Sequence, residues 1–81
     1  AISVRDVRWV EGVASQVPRR AGVQIRSHAP VSPARIDQQP DSRFRVKFDE
    51  PVWAPAAGQA AVFYCGDHVL GGGVIGVTEA N

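Results

Sequence analysis

The residues that could carry out chemistry in this sequence are few and far apart. It has one cysteine, Cys65, and two histidines, His28 and His68. Redox chemistry by thiol–disulfide exchange requires two thiols, and a metal site requires three or four closely spaced ligands. We therefore predict no catalytic residue and no metal site in this chain. Cys65 is interpreted as a half-buried structural residue.

The motifs that bind nucleotides or activate nucleophiles are also absent. The run Gly71–Gly73 is not followed by the Gly-Lys-Ser/Thr ending of a phosphate-binding loop. The sequence has no Ser-Gly-Gly-x-Asp-Ser loop for ATP, no nucleophile beside a base and no convincingly spaced pair of carboxylates. These absences predict that the chain performs no chemistry by itself and holds no cofactor.

The clearest functional pattern is a strand with bases on one side. Phe44, Val46 and Phe48 alternate with Arg43, Arg45 and Lys47. In an extended chain the first three face the core, and the second three form an outward row about 6.5–7 Å apart, close to the phosphate spacing of a nucleic-acid strand. Arg26 could join this row from a neighbouring strand. A solvated face that keeps the protein soluble is the alternative interpretation.

Charge is divided unevenly along the chain. The segment up to Lys47 contains all nine basic residues and four of the eight acids, a net charge of +5, whereas the remainder has four acids and no base, a net charge of −4. Eight of the nine bases are arginine, which suits bidentate contact with phosphate. The division favours one surface for an anionic partner. Genomic base composition could equally explain the preference for arginine.

Short strands separated by glycine and proline turns dominate the sequence, and no segment has a convincing helical period. Strand patterns cover Ile2–Val10 (broken at Asp6), Val23–His28, Val31–Gln38, Arg43–Phe48, Ala60–Cys65 and Val69–Val77. Glu11–Gly22 is predicted to be a loop, and Pro33 suggests that its strand lies at an edge. The fold class is therefore all-β, a small antiparallel barrel or sandwich.

The last third of the sequence predicts a β-hairpin. Two apolar runs flank the turn Gly66-Asp67, and Pro51 and Pro55 favour a loop before the first of them. Gly58 is expected to adopt a backbone angle that other residues avoid. Gly71–Gly73 indicates a tight bend or a second backbone lying close by. Trp9 is predicted to be core, whereas Trp53 could stack on a base or fill a domain boundary.

Size and composition set further limits. Eighty-one residues make one small domain, and no apolar run approaches the roughly 20 residues needed to span a bilayer. The first residues lack the order of a signal peptide, and a single cysteine gives no sign of an oxidising compartment. The expectation is a cytoplasmic domain without a membrane partner.

The stretch from Phe48 to Ile75 resembles the C-terminal segment of the tRNA-specific 2-thiouridylases, which older names call tRNA (5-methylaminomethyl-2-thiouridylate)-methyltransferases. The matching residues are Phe48, Pro51, Ala54-Pro55, Gly58-Gln59, Ala61–Tyr64, Gly66-Asp67 and Leu70–Ile75, with weaker matches at Val7–Val10 and Val23–Arg26. The resemblance implies a closed six-stranded barrel similar to the second domain of translation elongation factors. A basic strand of the family corresponds to Gln24–His28, where only Ile25 and Arg26 are retained.

The resemblance also implies a function for the longer enzyme. With ATP and magnesium it would adenylate the wobble uridine of certain tRNAs and install sulfur from a cysteine persulfide, which a sulfur-relay protein or cysteine desulfurase supplies. The barrel would hold tRNA near the anticodon arm and brace the catalytic domain. Both working cysteines of the family lie in the catalytic region. The alternative is a translation-factor-like barrel that mediates protein contacts without binding RNA.

The hairpin is apolar on both faces, although a barrel wall in water should alternate. We expect another domain of the same enzyme to cover it, so that residues 1–81 form a C-terminal barrel within a larger protein; the absence of an initiator methionine agrees. The residues expected to contact the catalytic domain are Pro55, Gly58, Gln59, Val62 and Tyr64.

Overall fold

The computed structural model describes residues 1–26, 28–52 and 55–78. Trp53, for which stacking or a boundary position was predicted, lies outside these residues, as do Ser27 and Ala54. Six strands are formed: β1 (Ile2–Trp9), β2 (Arg19–Gln24), β3 (Ser32–Gln38), β4 (Phe44–Phe48), β5 (Ala60–Cys65) and β6 (His68–Thr78). A 3-10 helix at Ala14–Gln16 precedes β2. No helix in the described part of the chain is long and apolar enough to cross a membrane.

The strands close into a barrel in the order β1-β4-β3-β2-β5-β6, with every neighbouring pair antiparallel. The all-β prediction is confirmed, as is the closed six-stranded antiparallel barrel that the resemblance implied; of the two architectures considered from the strand pattern, the barrel is correct. Alternating side chains fill the interior, which explains why period-2 apolar patterns mark the strands. On β4, Phe44, Val46 and Phe48 are buried, as predicted.

An aromatic cluster packs near one end of the core. The ring of Trp9 lies 5.2 Å from that of Phe44 at 82° and 5.2 Å from that of Phe63 at 30°. Edge-to-face and tilted pairs of this kind add to the stabilisation from burial. Trp9 therefore packs against the core, as its apolar stretch predicts.

The three consecutive glycines lie within β6, where neighbouring backbones approach them closely. A Cβ atom on Gly71 would lie 2.5 Å from the Arg8 carbonyl oxygen, and one on Gly73 would lie 2.6 Å from that of Arg5. On the other side, a Cβ atom on Gly72 would lie 2.7 Å from the Ala61 carbonyl oxygen. Of the two interpretations of the triple glycine, the close backbone approach is correct and the tight bend is wrong.

Several local predictions are confirmed. β1 has register shifts on either side of its central residues, and Asp6 has φ 55°, which marks the predicted break. The Gly66-Asp67 turn joins β5 to β6, with Cys65 opposite His68. Gly58 has φ 89°, a left-handed conformation that favours glycine.

Two strand predictions are wrong. β2 runs from Arg19 to Gln24, so part of the predicted loop Glu11–Gly22 is strand, while Ile25 and Arg26 form a bend after it. Pairing of Arg19–Val23 with β3 sets these bounds, and the residues themselves show no alternation. β3 is not an edge strand, because β2 and β4 flank it. Pro33 is tolerated near its start, where its carbonyl accepts a hydrogen bond from Asp49 just beyond β4.

Two expectations concern burial near the hairpin. Cys65 is exposed at the end of β5, so the half-buried interpretation is wrong; the residue is the last before the hairpin turn. Val62, Tyr64 and Val74 remain partly exposed, so the barrel does not enclose them by itself.

Substituting alanine for Gly73 should lower the free energy of unfolding by about 1–3 kcal/mol, because the added methyl group meets backbone and the side chains of Val4 and Val7. Gly76→Ala in the same strand is the matched control, since its nearest heavy atom would be 3.7 Å away. Urea denaturation of both variants measures the difference. Equal stabilities would show that the close packing of β6 does not limit this position.

Candidate nucleic-acid interface

The predicted row of bases lies on the outer side of β4. Arg43 and Lys47 are exposed and Arg45 is partly exposed, while the residues between them are buried. Lys47 has no ion pair among the described residues. The alternation that predicted an outward basic row is therefore confirmed, and its contact with RNA stays a prediction.

A second row of bases crosses the strands and meets the first at Lys47. Arg35 on β3 lies opposite Lys47 on one side and opposite Arg20 on the other. Neighbouring strands are about 4.8 Å apart, so three positive charges share a short distance across the sheet. Like charges directly opposite each other destabilise a sheet. Taken alone, this row of like charges therefore lowers the stability of the barrel.

Nearby carboxylates partly neutralise these bases. Asp49 accepts from Arg20, Asp37 lies 3.2 Å from Nε of Arg35, and Asp41 lies 3.3 Å from Nε of Arg43. All of these side chains are at least 40% exposed. Exposed ion pairs contribute about 0–1 kcal/mol. These ion pairs are therefore weak, and another anion could replace a carboxylate at small cost.

The basic surface continues onto β1. Arg5 and Arg8 are exposed, and both line a groove with Arg43 at the β3–β4 turn. Asp6 and Asp41 also line this groove, and Asp6 accepts a hydrogen bond from Arg5 Nη1 at 2.6 Å. Bases thus occupy four neighbouring strands, β1, β4, β3 and β2, whereas the fully described β5 and β6 carry neither arginine nor lysine. We call the outer surface of these four strands the basic side.

Arg26 has a different position from the one expected. It lies in the bend after β2, and β3 separates β2 from β4, so Arg26 is not on a strand next to the row. It is partly buried and lines a small pocket with Pro51 and Val52, which follow β4. Arg26 is therefore at the same end of the barrel as Lys47, and its contact with RNA stays a prediction.

Sequence reasoning did not select Arg20 and Arg35. Arg35 alternates with the buried Ala34 and Ile36, so its outward direction could have been inferred from β3 alone. Arg20 fell within a predicted loop, and no local pattern indicates it. The cross-strand row depends on register, which a single strand does not reveal.

The residues expected to face a catalytic domain form two groups. Pro55, Gly58 and Gln59 lie in the loop before β5, where Gly58 N–H donates to Ile75 O at 2.7 Å and Ile75 N–H donates to Gln59 O at 2.8 Å. Val62 and Tyr64 point outward from β5 and are partly exposed; the Tyr64 hydroxyl donates to Gln24 Oε1 at 3.3 Å. Their contact with another domain stays a prediction.

Comparison with known proteins agrees with the resemblance seen in the sequence. Residues 1–75 match the family model described as the aminomethyltransferase beta-barrel domain. The chain is 46% identical over 76 residues to tRNA-specific 2-thiouridylase MnmA of Chloroflexus aggregans, which covers 94% of this chain and 21% of that protein. It is 45% identical over 73 residues to tRNA-specific 2-thiouridylase MnmA of Trichormus variabilis, covering 90% of this chain and 21% of the relative.

The match to the relative of the same name from Delftia acidovorans is similar, at 42% identity over 74 residues, or 91% of this chain and 20% of the relative. The chain thus spans about one fifth of the length of the curated relatives it matches. Its match to the family model covers nearly all of its residues, including every strand except the end of β6. The chain belongs to the aminomethyltransferase beta-barrel domain family and corresponds to the barrel of tRNA-specific 2-thiouridylases.

Proposed function

We propose that this chain is the C-terminal tRNA-binding barrel of a 2-thiouridylase that thiolates the wobble uridine. The relatives that it matches are named as tRNA-specific 2-thiouridylases. The observation that supports a role in RNA binding is the segregation of charge around a closed barrel. Four neighbouring strands carry the bases, and β5 and β6 carry none.

The geometry of the basic side suits a polyanion. Along β4 the bases recur about every 6.5–7 Å, and across β4, β3 and β2 they recur about every 4.8 Å. The phosphate backbone supplies most of the sequence-independent affinity of nucleic-acid binding proteins. Arginine contacts phosphate with two parallel hydrogen bonds, which adds geometric specificity. Arg26, Arg43, Arg45 and Lys47 would take part, together with Arg20 and Arg35.

The chemistry of the enzyme would take place outside these residues. Cys65 is a single thiol, and no group of three His, Cys, Asp or Glu side chains that could hold a metal occurs in the described part of the chain. The chain also lacks a nucleotide-binding loop. ATP, magnesium and the persulfide donor would therefore bind to other parts of the longer, cytoplasmic protein. The barrel would contribute to binding the tRNA substrate.

Replacing both Arg35 and Lys47 with glutamine should weaken tRNA binding and flatten its salt dependence. The slope of log affinity against log salt should fall by about 0.7–0.9 for each phosphate that the variant no longer neutralises. A fluorescence titration of tRNA with this chain at several salt concentrations measures the slope. The same replacements should change the free energy of unfolding by less than about 0.5 kcal/mol, because both positions are on the surface. Urea denaturation of the variant measures this change.

The same titration distinguishes the alternative function. A barrel that mediates only protein contacts would give no binding, or binding with a flat salt response in the unmodified chain. If the glutamine variant kept the original slope, the basic side would not be the RNA surface. Loss of binding together with loss of the folded state would be recognised by the denaturation curve, and single replacements at Arg35 and Lys47 would then be compared.

Removing a carboxylate from the basic side should have the opposite effect. Asp37→Asn releases Arg35 from its ion pair and should tighten tRNA binding by about two- to fivefold. Asp67→Asn, in the β5–β6 turn, makes the same change in net charge away from the basic side and is the matched control. Equal effects of the two replacements would indicate a response to net charge alone and would contradict a localised RNA surface.

A further inference from the structure

The outer side of β5 and β6 is uncharged and largely apolar. Its main side chains are Val62, Tyr64, Val69 and Val74. Together with Val31, which precedes β3 and lies over Gly22 of β2, they form the surface that we call the uncharged face. Tyr64 lies opposite Val69, and Val74 lies opposite Ala60, so the residues on β5 and β6 share the outer surface of one hairpin. The apolar residues are therefore contiguous rather than scattered singly.

Two glycines lie within the uncharged face. Gly22 on β2 lies opposite Tyr64, and Gly72 on β6 lies opposite Val62. A Cβ atom on Gly22 would lie 2.5 Å from Val31 Cγ1 and 3.9 Å from Tyr64 Cβ. Val31 thus occupies the space above Gly22 and extends the apolar surface from β5 onto β2.

Water still reaches this surface. Val31 and Val69 are each 50% exposed, and Val62, Tyr64 and Val74 are partly exposed. Arg5 lies opposite Val74 and Arg8 lies opposite Gly72, so bases on β1 border the face on one side. An exposed apolar surface with a polar border is a feature of protein interaction sites.

We propose that the uncharged face packs against an apolar surface in the remaining four fifths of the longer protein. This inference rests on the proposed function only in requiring that the barrel is one domain of such a protein. The chain spans about one fifth of its curated relatives, so a tethered partner of that size is available. Tethering raises the effective concentration of a partner to about the millimolar range, so a modest apolar contact is sufficient.

Charge separates this surface from the basic side. A polyanion needs cations, and the uncharged face has none, so RNA is not its occupant. The loop with Pro55, Gly58 and Gln59 borders the face, because its hydrogen bonds to Ile75 hold it beside Val74. The loop and the face together form one continuous surface for the tethered domain.

Two valines on β6 allow a matched test. Val69 lies on the uncharged face near the start of β6, whereas Val77 lies near the other end of the same strand, where it lines a groove with Asp41 and Arg43. Both are 50% exposed in the barrel. In the longer protein, Val69→Cys and Val77→Cys would be made separately in a Cys65→Ser background. The rate of maleimide labelling at each position would be read by peptide mass spectrometry, without RNA.

Residue 69 should react at least about tenfold more slowly than residue 77, as expected when the face is covered more than about 90% of the time. In denaturant the two rates should become equal, which excludes an intrinsic difference in thiol reactivity. Similar native rates, or slower labelling at residue 77, would overturn the proposal. Protection of residue 69 that disappears on dilution, with a dimer becoming a monomer, would assign the face to a second copy and also overturn it.

This test is independent of the tRNA titration. Protection of residue 69 together with a flat salt response would leave the docking surface intact and remove the RNA surface. Unprotected residue 69 together with a steep salt response would do the reverse.

Discussion

The close approach of three backbones around Gly71–Gly73 is the constraint on which the barrel depends. β6 hydrogen-bonds to both β1 and β5. Its pairing with β1 connects the last strand of the chain to the first and closes the barrel. At Gly71, Gly72 and Gly73 a neighbouring carbonyl oxygen lies within 2.7 Å of the position that a Cβ atom would take. Closure removes the unpaired edges that would otherwise expose backbone donors and acceptors. Each surface of the molecule has its position because the barrel closes.

Closure also explains why charges far apart in sequence become neighbours. Arg20, Arg35 and Lys47 are on three different strands, and the order β4-β3-β2 aligns them. The same order leaves β5 and β6 on the opposite arc, with no base. The sequence division at Lys47 thus becomes a division of the barrel surface. In a barrel of six strands, these two surfaces together include the outer side of every strand.

Local patterns predicted much of this fold. The alternation at Arg43–Phe48 identifies β4 and its outer row because both depend on one strand, and Gly66-Asp67 identifies the hairpin because a two-residue turn is local. The start of β2 could not be predicted, because Arg19–Gly22 are strand only through pairing with β3. The same limit applies to Arg20 in the candidate interface. Exposure of Cys65 was missed because burial near a turn depends on what packs over it.

β2 contributes to both surfaces. Its first half carries Arg20 on the basic side, and its second half carries Gly22 beneath Val31 on the uncharged face. A closed barrel of six paired strands has no hinge between these halves, since strand number and tilt fix its shape. The orientation of one surface relative to the other is therefore constant. If RNA binds the basic side and another domain packs on the uncharged face, the barrel would hold the two at one fixed relative orientation.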